Sequence, residues 1–183
     1  MGKIRIYPPV KIFCAVTFAP GAKPEEIIRK LEALLSPADS RSDLFAFSDF
    51  TDYYSPEMGG GLQKQFVSFT ELKPAEYLPD LKIAANLIET DFAGENGRMV
   101  NIDPGYLCAA KIVLATTKDY DHRIYLNRGI FGDVHLRFRK GHFQINDWTY
   151  PDYRQPETID YFEALRNIYL DALKDWKPDQ VRF

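Results

Sequence analysis

Between residues 11 and 19 apolar and polar positions alternate. Ile12, Cys14, Val16 and Phe18 fall on one face, the period-two pattern of a strand. Pro20-Gly21 breaks the run, and Pro24 opens a helix with Glu25 and Glu26 in its electropositive first turn. Ile27, Leu31, Leu34 and Leu35 form its apolar stripe until Ser36-Pro37 stops it. Residues 44–50 predict a second strand with Phe45 and Phe47 sharing a face. A polar loop through Gly59-Gly60-Gly61 then leads to a third strand over 62–71. Residues 74–92 place Leu78, Leu81, Ala85, Ile88 and Phe92 at helical spacing. Pro79 belongs near that helix's start, and Gly94 and Gly97 close it. Residues 99–102 predict a short fourth strand.

Strand, helix, strand, strand, helix, strand is the ferredoxin-like, split βαβ order. The two halves echo each other, since Val16-Thr17-Phe18 returns as Val67-Ser68-Phe69 ahead of the second helix. Residues 108–117 are apolar enough for a buried helix or a buried strand, and periodicity leaves both open. Residues 123–126, 131–139 and 143–147 then predict a three-stranded meander turned by Asn127-Arg128-Gly129 and Lys140-Gly141. In its middle strand Val134, Leu136 and Phe138 point one way, His135, Arg137 and Arg139 the other. A last helix opens at Pro156 and aligns Phe162, Leu165, Tyr169, Leu173 and Trp176. The expected fold class is α+β, one domain over 1–183. It comprises a ferredoxin-like (βαββαβ) core at 10–103, an antiparallel β-meander extension at 104–155 and a C-terminal helix at 156–177.

Composition narrows the function classes. A chain of 183 residues with 45% apolar and 27% charged side chains suits one globular domain. Its 23 basic and 26 acidic side chains give a net charge of −3, which argues against an all-over nucleic-acid or membrane binder. Pro8, Pro9 and Lys11 interrupt any apolar leader after the basic start Met1-Gly2-Lys3-Ile4-Arg5, and no run is long enough to span a bilayer, so the expected location is cytoplasmic. Cys14 and Cys108 sit in apolar surroundings and are expected as buried, reduced thiols.

Known chemistries were tested against their motifs. Gly59-Gly60-Gly61 is followed by Leu62-Gln63-Lys64 and a strand, so it is no P-loop. Thr116-Thr117-Lys118-Asp119 resembles the guanine-reading Thr-Lys-x-Asp, but Tyr120 occupies the position of its aspartate; a Rossmann fingerprint is absent as well. His122, His135 and His142 share one basic segment. With Lys140-Gly141 as a turn, His135 and His142 lie about 13 Å apart, too far to share a zinc ion. No zinc site is expected. Neither cysteine has a neighbour suited to activate it, and no G-x-S-x-G occurs.

Polar and aromatic groups gather instead where elements end. They are Asn101-Ile102-Asp103-Pro104-Gly105-Tyr106, Thr116-Thr117-Lys118-Asp119 with His122-Arg123, Trp148-Thr149-Tyr150-Pro151-Asp152-Tyr153, and Asp52-Tyr53-Tyr54 with Glu57. These segments, with Lys111-Ile112-Val113-Leu114-Ala115 and Ile124-Tyr125-Leu126, resemble the prokaryotic domain-of-unknown-function family 4416 over nearly the whole chain. The resemblance implies one complete protein and no activity; members often carry a GTP-binding label that the motifs do not support.

The expected function is binding, and by extension turnover, of a small anionic or phosphate-bearing ligand. Asp103, Asp119 and His122 are the candidate catalytic groups, the two aspartates as general base or as ligands of a hard cation such as Mg²⁺. Lys118, Arg123 and His122 would meet the anion, Asn101, Thr117 and Asp152 would add ligand contacts, and Tyr54 and Tyr150 would wall the pocket. The rival readings are an RNA-binding module using His135, Arg137 and Arg139, and a protein-interaction module. The oligomeric state is left open.

Overall fold

The computed structural model describes residues 6–94 and 97–177. The basic start at residues 1–5 lies outside them. Strand β1 (Val10–Phe18) is buried along its whole length, on both faces and not only on the face of Ile12, Cys14, Val16 and Phe18 that the alternation predicts. The reason is its place in the middle of the sheet, with both faces covered. Helix α1 (Pro24–Leu34) follows and buries Ile27, Ile28 and Leu31.

The second strand is not where two phenylalanines suggested. It is β2 (Ala38–Arg41), and residues 44–50 hold only β3 (Phe45–Ala46) and a 3-10 turn at Phe47–Asp49. The polar edge strand β2 is fixed by side chains rather than by apolar alternation. Asp39 is the extra residue of a bulge, accepts from Ser68 Oγ at 2.6 Å and pairs with buried Lys11. A short helix α2 (Ser55–Met58) precedes β4 (Gln63–Lys73), which agrees with the expected third strand. Helix α3 (Leu78–Thr90) follows a 3-10 turn at Ala75–Tyr77. Gly94 and Gly97 do not merely end it, because they form a small hairpin of β5 (Ala93–Gly94) and β6 (Gly97–Arg98).

Next come β7 (Val100–Cys108), β8 (Lys111–Thr116), β9 (Arg123–Asn127), β10 (Ile130–Arg139) and β11 (His142–Ile145). The apolar run left open between helix and strand is thus strand β8. The nine-stranded sheet runs β11-β10-β8-β7-β1-β4-β2, with β3 on β4 and β9 on β10, and all of its pairings are antiparallel. The fold class is α+β. Because β7 crosses residues 103–104 without a break, the first hundred residues and the meander share one sheet.

Register fixes the faces. Ala15 stands opposite Phe66 and Asp103, and Thr17 opposite Lys64 and Asn101, so these side chains share one face with Phe13. Helix α4 (Pro156–Ala172) covers that face, with Phe162 against Phe13, Phe66 and Tyr153 at ring-centroid distances of 4.9, 5.1 and 5.7 Å. On the other face Leu78 of α3 packs with Val113 and Tyr106, and α1 lies beside α3. Cys14 and Cys108 are free and buried. No described helix is long and apolar enough to cross a membrane.

Two features of this sheet make room for a site. The first is a fork. Residues 103–106, expected past the end of the fourth strand, lie inside β7, and pairing of β7 with β8 stops at Gly105–Leu114. Pro104 has no N–H to offer a neighbour, and beyond it the two strands part. Gly105 itself is held in a crowded spot: a Cβ there would stand 2.7 Å from Phe13 Cζ, 2.7 Å from the Val113 carbonyl oxygen and 2.9 Å from Leu114 Cδ2. Gly105→Ala is expected to cost about 1–3 kcal/mol in a urea melt, the usual penalty of overpacking. An unchanged midpoint would refute the crowding.

The second feature is a gap on the outer edge of β10. β9 pairs with its first half and β11 with its second, leaving Val134 and His135 without a strand neighbour there. Residues 146–150 fill the gap. Asn146 Nδ2 and Trp148 Nε1 donate to the Val134 carbonyl at 2.8 and 3.0 Å, and Thr149 Oγ1 donates to that of His135 at 2.7 Å. A bulge between Val134 and Leu136 breaks the expected alternation. His135 is fully buried instead of pointing outward with Arg137 and Arg139.

Candidate functional site

The fork between β7 and β8 opens a cleft of about 600 Å³. One bank is β7 with Asn101 and Asp103. The other is the end of β8 and its loop, with Thr116, Thr117 and Lys118, backed by Arg123 and Asp133. Tyr53, Tyr54 and Glu57 come from the loop around α2. Tyr150, Pro151 and Asp152 enter from the segment that fills the gap on β10 and continues into a 3-10 turn at Pro151–Arg154.

The backbone of β7 exposed by the fork is satisfied by α3. Ile102 donates its N–H to Glu89 Oε1 at 2.6 Å, and Lys82 Nζ donates to the Ile102 carbonyl at 2.8 Å. Two side chains thereby replace the ladder bonds that β8 gives up. Lys82 also reaches Asp103 Oδ1 at 3.1 Å, and Asn101 Nδ2 donates to Asp103 Oδ2 at 2.7 Å. Burial opposes ionisation of Asp103, but Lys82, Lys64 and these hydrogen bonds outweigh it and hold the carboxyl below the usual range.

Ionic pairs of alternating sign cover the rest. Lys64 Nζ and Asp152 Oδ2 are 2.6 Å apart and almost wholly buried. Arg98 pairs with Glu57 at 2.8 Å and Glu89 at 3.1 Å. Arg123 Nε donates to Asp133 Oδ2 at 3.1 Å and Nη2 to the Tyr150 hydroxyl at 3.0 Å. The five lining cations Lys64, Lys82, Arg98, Lys118 and Arg123 face five lining carboxylates, and four are paired. The fifth, Lys118, is exposed and meets the ring and hydroxyl of Tyr53; among the described residues no carboxylate stands within ion-pair distance of it. Tyr53 and Lys118 thus bridge the cleft mouth from opposite rims.

The cleft gathers Tyr54, Asn101, Asp103, Thr117, Lys118, Arg123, Tyr150 and Asp152. Asp119 is exposed on the loop outside the lining. His122 also lies outside, stacked on Trp148 at 4.9 Å with its Nε2 3.3 Å from Asp133 Oδ2. Among the described residues no three His, Cys, Asp or Glu side chains form a group able to hold a metal ion. Lys82, Glu89, Arg98 and Lys64 escaped the sequence reading. The signal was present in α3, where Lys82, Asn86 and Glu89 recur at i, i+4 and i+7 beside an apolar stripe.

His135 supports the Tyr150 bank from behind. Its Nε2 accepts the Tyr150 N–H at 2.9 Å, so the proton sits on Nδ1, 3.3 Å from Asp133 Oδ1. Burial, reinforced by Lys64, lowers the imidazole pKa below 6.5 against the opposing pull of Asp133 and Asp152. The unfolded chain therefore takes up this proton first as pH falls, and native stability declines from about pH 6.5 downward. Asp103 and Asp133, both held low, add a further loss in the carboxylate range. Urea midpoints followed against pH should show both steps in the wild type and only the acidic one in His135→Gln. Coincident curves would contradict this account.

The family model described as a domain of unknown function (DUF4416) matches residues 8–169. No curated protein and no solved structure matches the chain.

Proposed function

The chain belongs to the DUF4416 family, and we propose that it binds a small anionic ligand in the cleft between β7 and β8. The observation that carries this reading is Lys118, the one lining cation, among the described residues, with no carboxylate beside it, placed at the mouth where a ligand enters. Arg98 and Arg123 line the same cleft, each already paired with a carboxylate, and Tyr54 and Tyr150 offer aromatic walls. Asp103 is the one of the three candidate catalytic groups that reaches the cleft, so any turnover would use it as the general base. The RNA-binding alternative keeps exposed Arg137 and Arg139 but not His135. We also assign the first hundred residues to the ferredoxin-like type. The order β7-β1-β4-β2, with α1 and α3 on one face, supports that assignment.

Native mass spectrometry of protein purified from cells should show a retained anionic compound. Calorimetry with inorganic phosphate should show binding that Lys118→Ala weakens roughly tenfold, the worth of one charge-assisted hydrogen bond. GTP should gain nothing from its base, because Tyr120 stands where the guanine-reading aspartate would be. Equal affinities of wild type and Lys118→Ala, with no retained anion, would overturn the reading.

A further inference from the structure

Among the charged groups of the cleft, Lys118 and Asp103 have opposite charge and each keeps capacity for a ligand. Of the Asp103 side chain 26% is open, against 7% for Glu89, 3% for Asp152 and 1% for Asp133, while Glu57, at 56%, is more open still and has its Oε2 taken up by Arg98. Each of its oxygens accepts one hydrogen bond, from Lys82 and from Asn101, while a carboxylate oxygen offers two acceptor sites. One acceptor site per oxygen is left for the cleft.

This arrangement keeps the anionic part of a ligand away from Asp103. A phosphate against Asp103 would meet a carboxylate held ionised, and in a partly enclosed cleft that repulsion is poorly screened. The anionic end must therefore lie towards Lys118. What faces Asp103 must donate hydrogen bonds, and two free acceptor sites on one carboxylate suit a pair of neighbouring hydroxyls. Tyr54 and Tyr150 offer the flat apolar surface on which the C–H face of such a compound packs.

We propose that the ligand is a phosphate monoester of a polyhydroxy compound, its phosphate at Lys118 and its hydroxyls donated to Asp103. The inference rests on the anion-binding reading above and narrows it. Asp103, Lys82 and Asn101 then act as one unit: the lysine and the amide turn the carboxylate so that its free acceptor sites face the cleft.

Calorimetry separates this from plain anion binding. Wild type and Asp103→Asn are titrated with inorganic phosphate, with glucose and inositol, and with triose, pentose, hexose and inositol monophosphates. At least one ester should bind the wild type ten or more times tighter than inorganic phosphate, and the uncharged polyols should not bind detectably. Asp103→Asn should bring that ester down to the level of inorganic phosphate without weakening inorganic phosphate itself. Each comparison is a ratio within one protein, so lost stability in the variant does not blur it. Esters no tighter than phosphate would overturn the two-ended ligand and leave anion binding standing. So would glucose as tight as its ester, or an ester that tightens on Asp103→Asn. Failure of every phosphate compound, inorganic phosphate included, would overturn both.

Discussion

Lys64→Met is expected to lower the unfolding free energy by about 3–5 kcal/mol, because it strands the Asp152 carboxylate in a site closed to water. The two side chains are 4% and 3% exposed and 2.6 Å apart, and Lys64 Nζ lies 4.8 to 5.5 Å from the ring centroids of Phe47, Tyr153 and Phe66. Asp152→Leu should cost a similar amount by stranding the lysine. The double variant Lys64→Met/Asp152→Leu should recover most of either loss, because desolvating the pair offsets much of its attraction. Urea melts of the four proteins complete the cycle. A double variant as unstable as the sum of the singles would show that the pair's worth lies elsewhere, in Asp103 for instance, which Lys64 helps to keep ionised.

Phe162→Ala should cost about 3–5 kcal/mol, since it removes a buried ring from the layer joining α4 to the sheet. The ring touches Phe13 of β1, Phe66 of β4 and Tyr153 beside the cleft, with no solvent exposure of its own. Ile168→Ala on the same helix is the control: that residue is 39% exposed, and its loss should cost well under half as much. Comparable losses from the two would mean that helical propensity, and not the aromatic layer, sets the stability of α4.

What the sequence disclosed follows from where each element sits. β1, α1, α3 and α4 were legible because each carries its own apolar period, and the two positive-φ turns at Arg128-Gly129 and Lys140-Gly141 were legible from their residues. The strand β2 was not, since Ala38-Asp39-Ser40-Arg41 has no apolar period and is held by Lys11 and Ser68, far along the chain. Asp103 to Tyr106 fell past the expected end of the fourth strand because Pro and Gly usually break one. In the fold the proline ends the pairing with β8 and the glycine admits the Phe13 ring. The loop side chains of the cleft could be named from composition at element ends. Lys82 and Glu89 share a polar face of α3 that the sequence displays, but their task arises only once β8 has departed from Ile102.

The central place of β1 also orders events while the chain is being made. Its partner on one side is residues 63–73, and on the other residues 100–107, with a helical lid that arrives only at Phe162. At roughly 5–20 residues per second, about 4 to 16 seconds separate the appearance of Phe18 from that of Val100. Throughout that interval the most apolar strand of the protein has at most one strand neighbour, and the face that α4 will cover stays bare. Until residues 63–73 and 100–107 are made, the unpaired edges of β1 are open to pairing with a copy of the same strand.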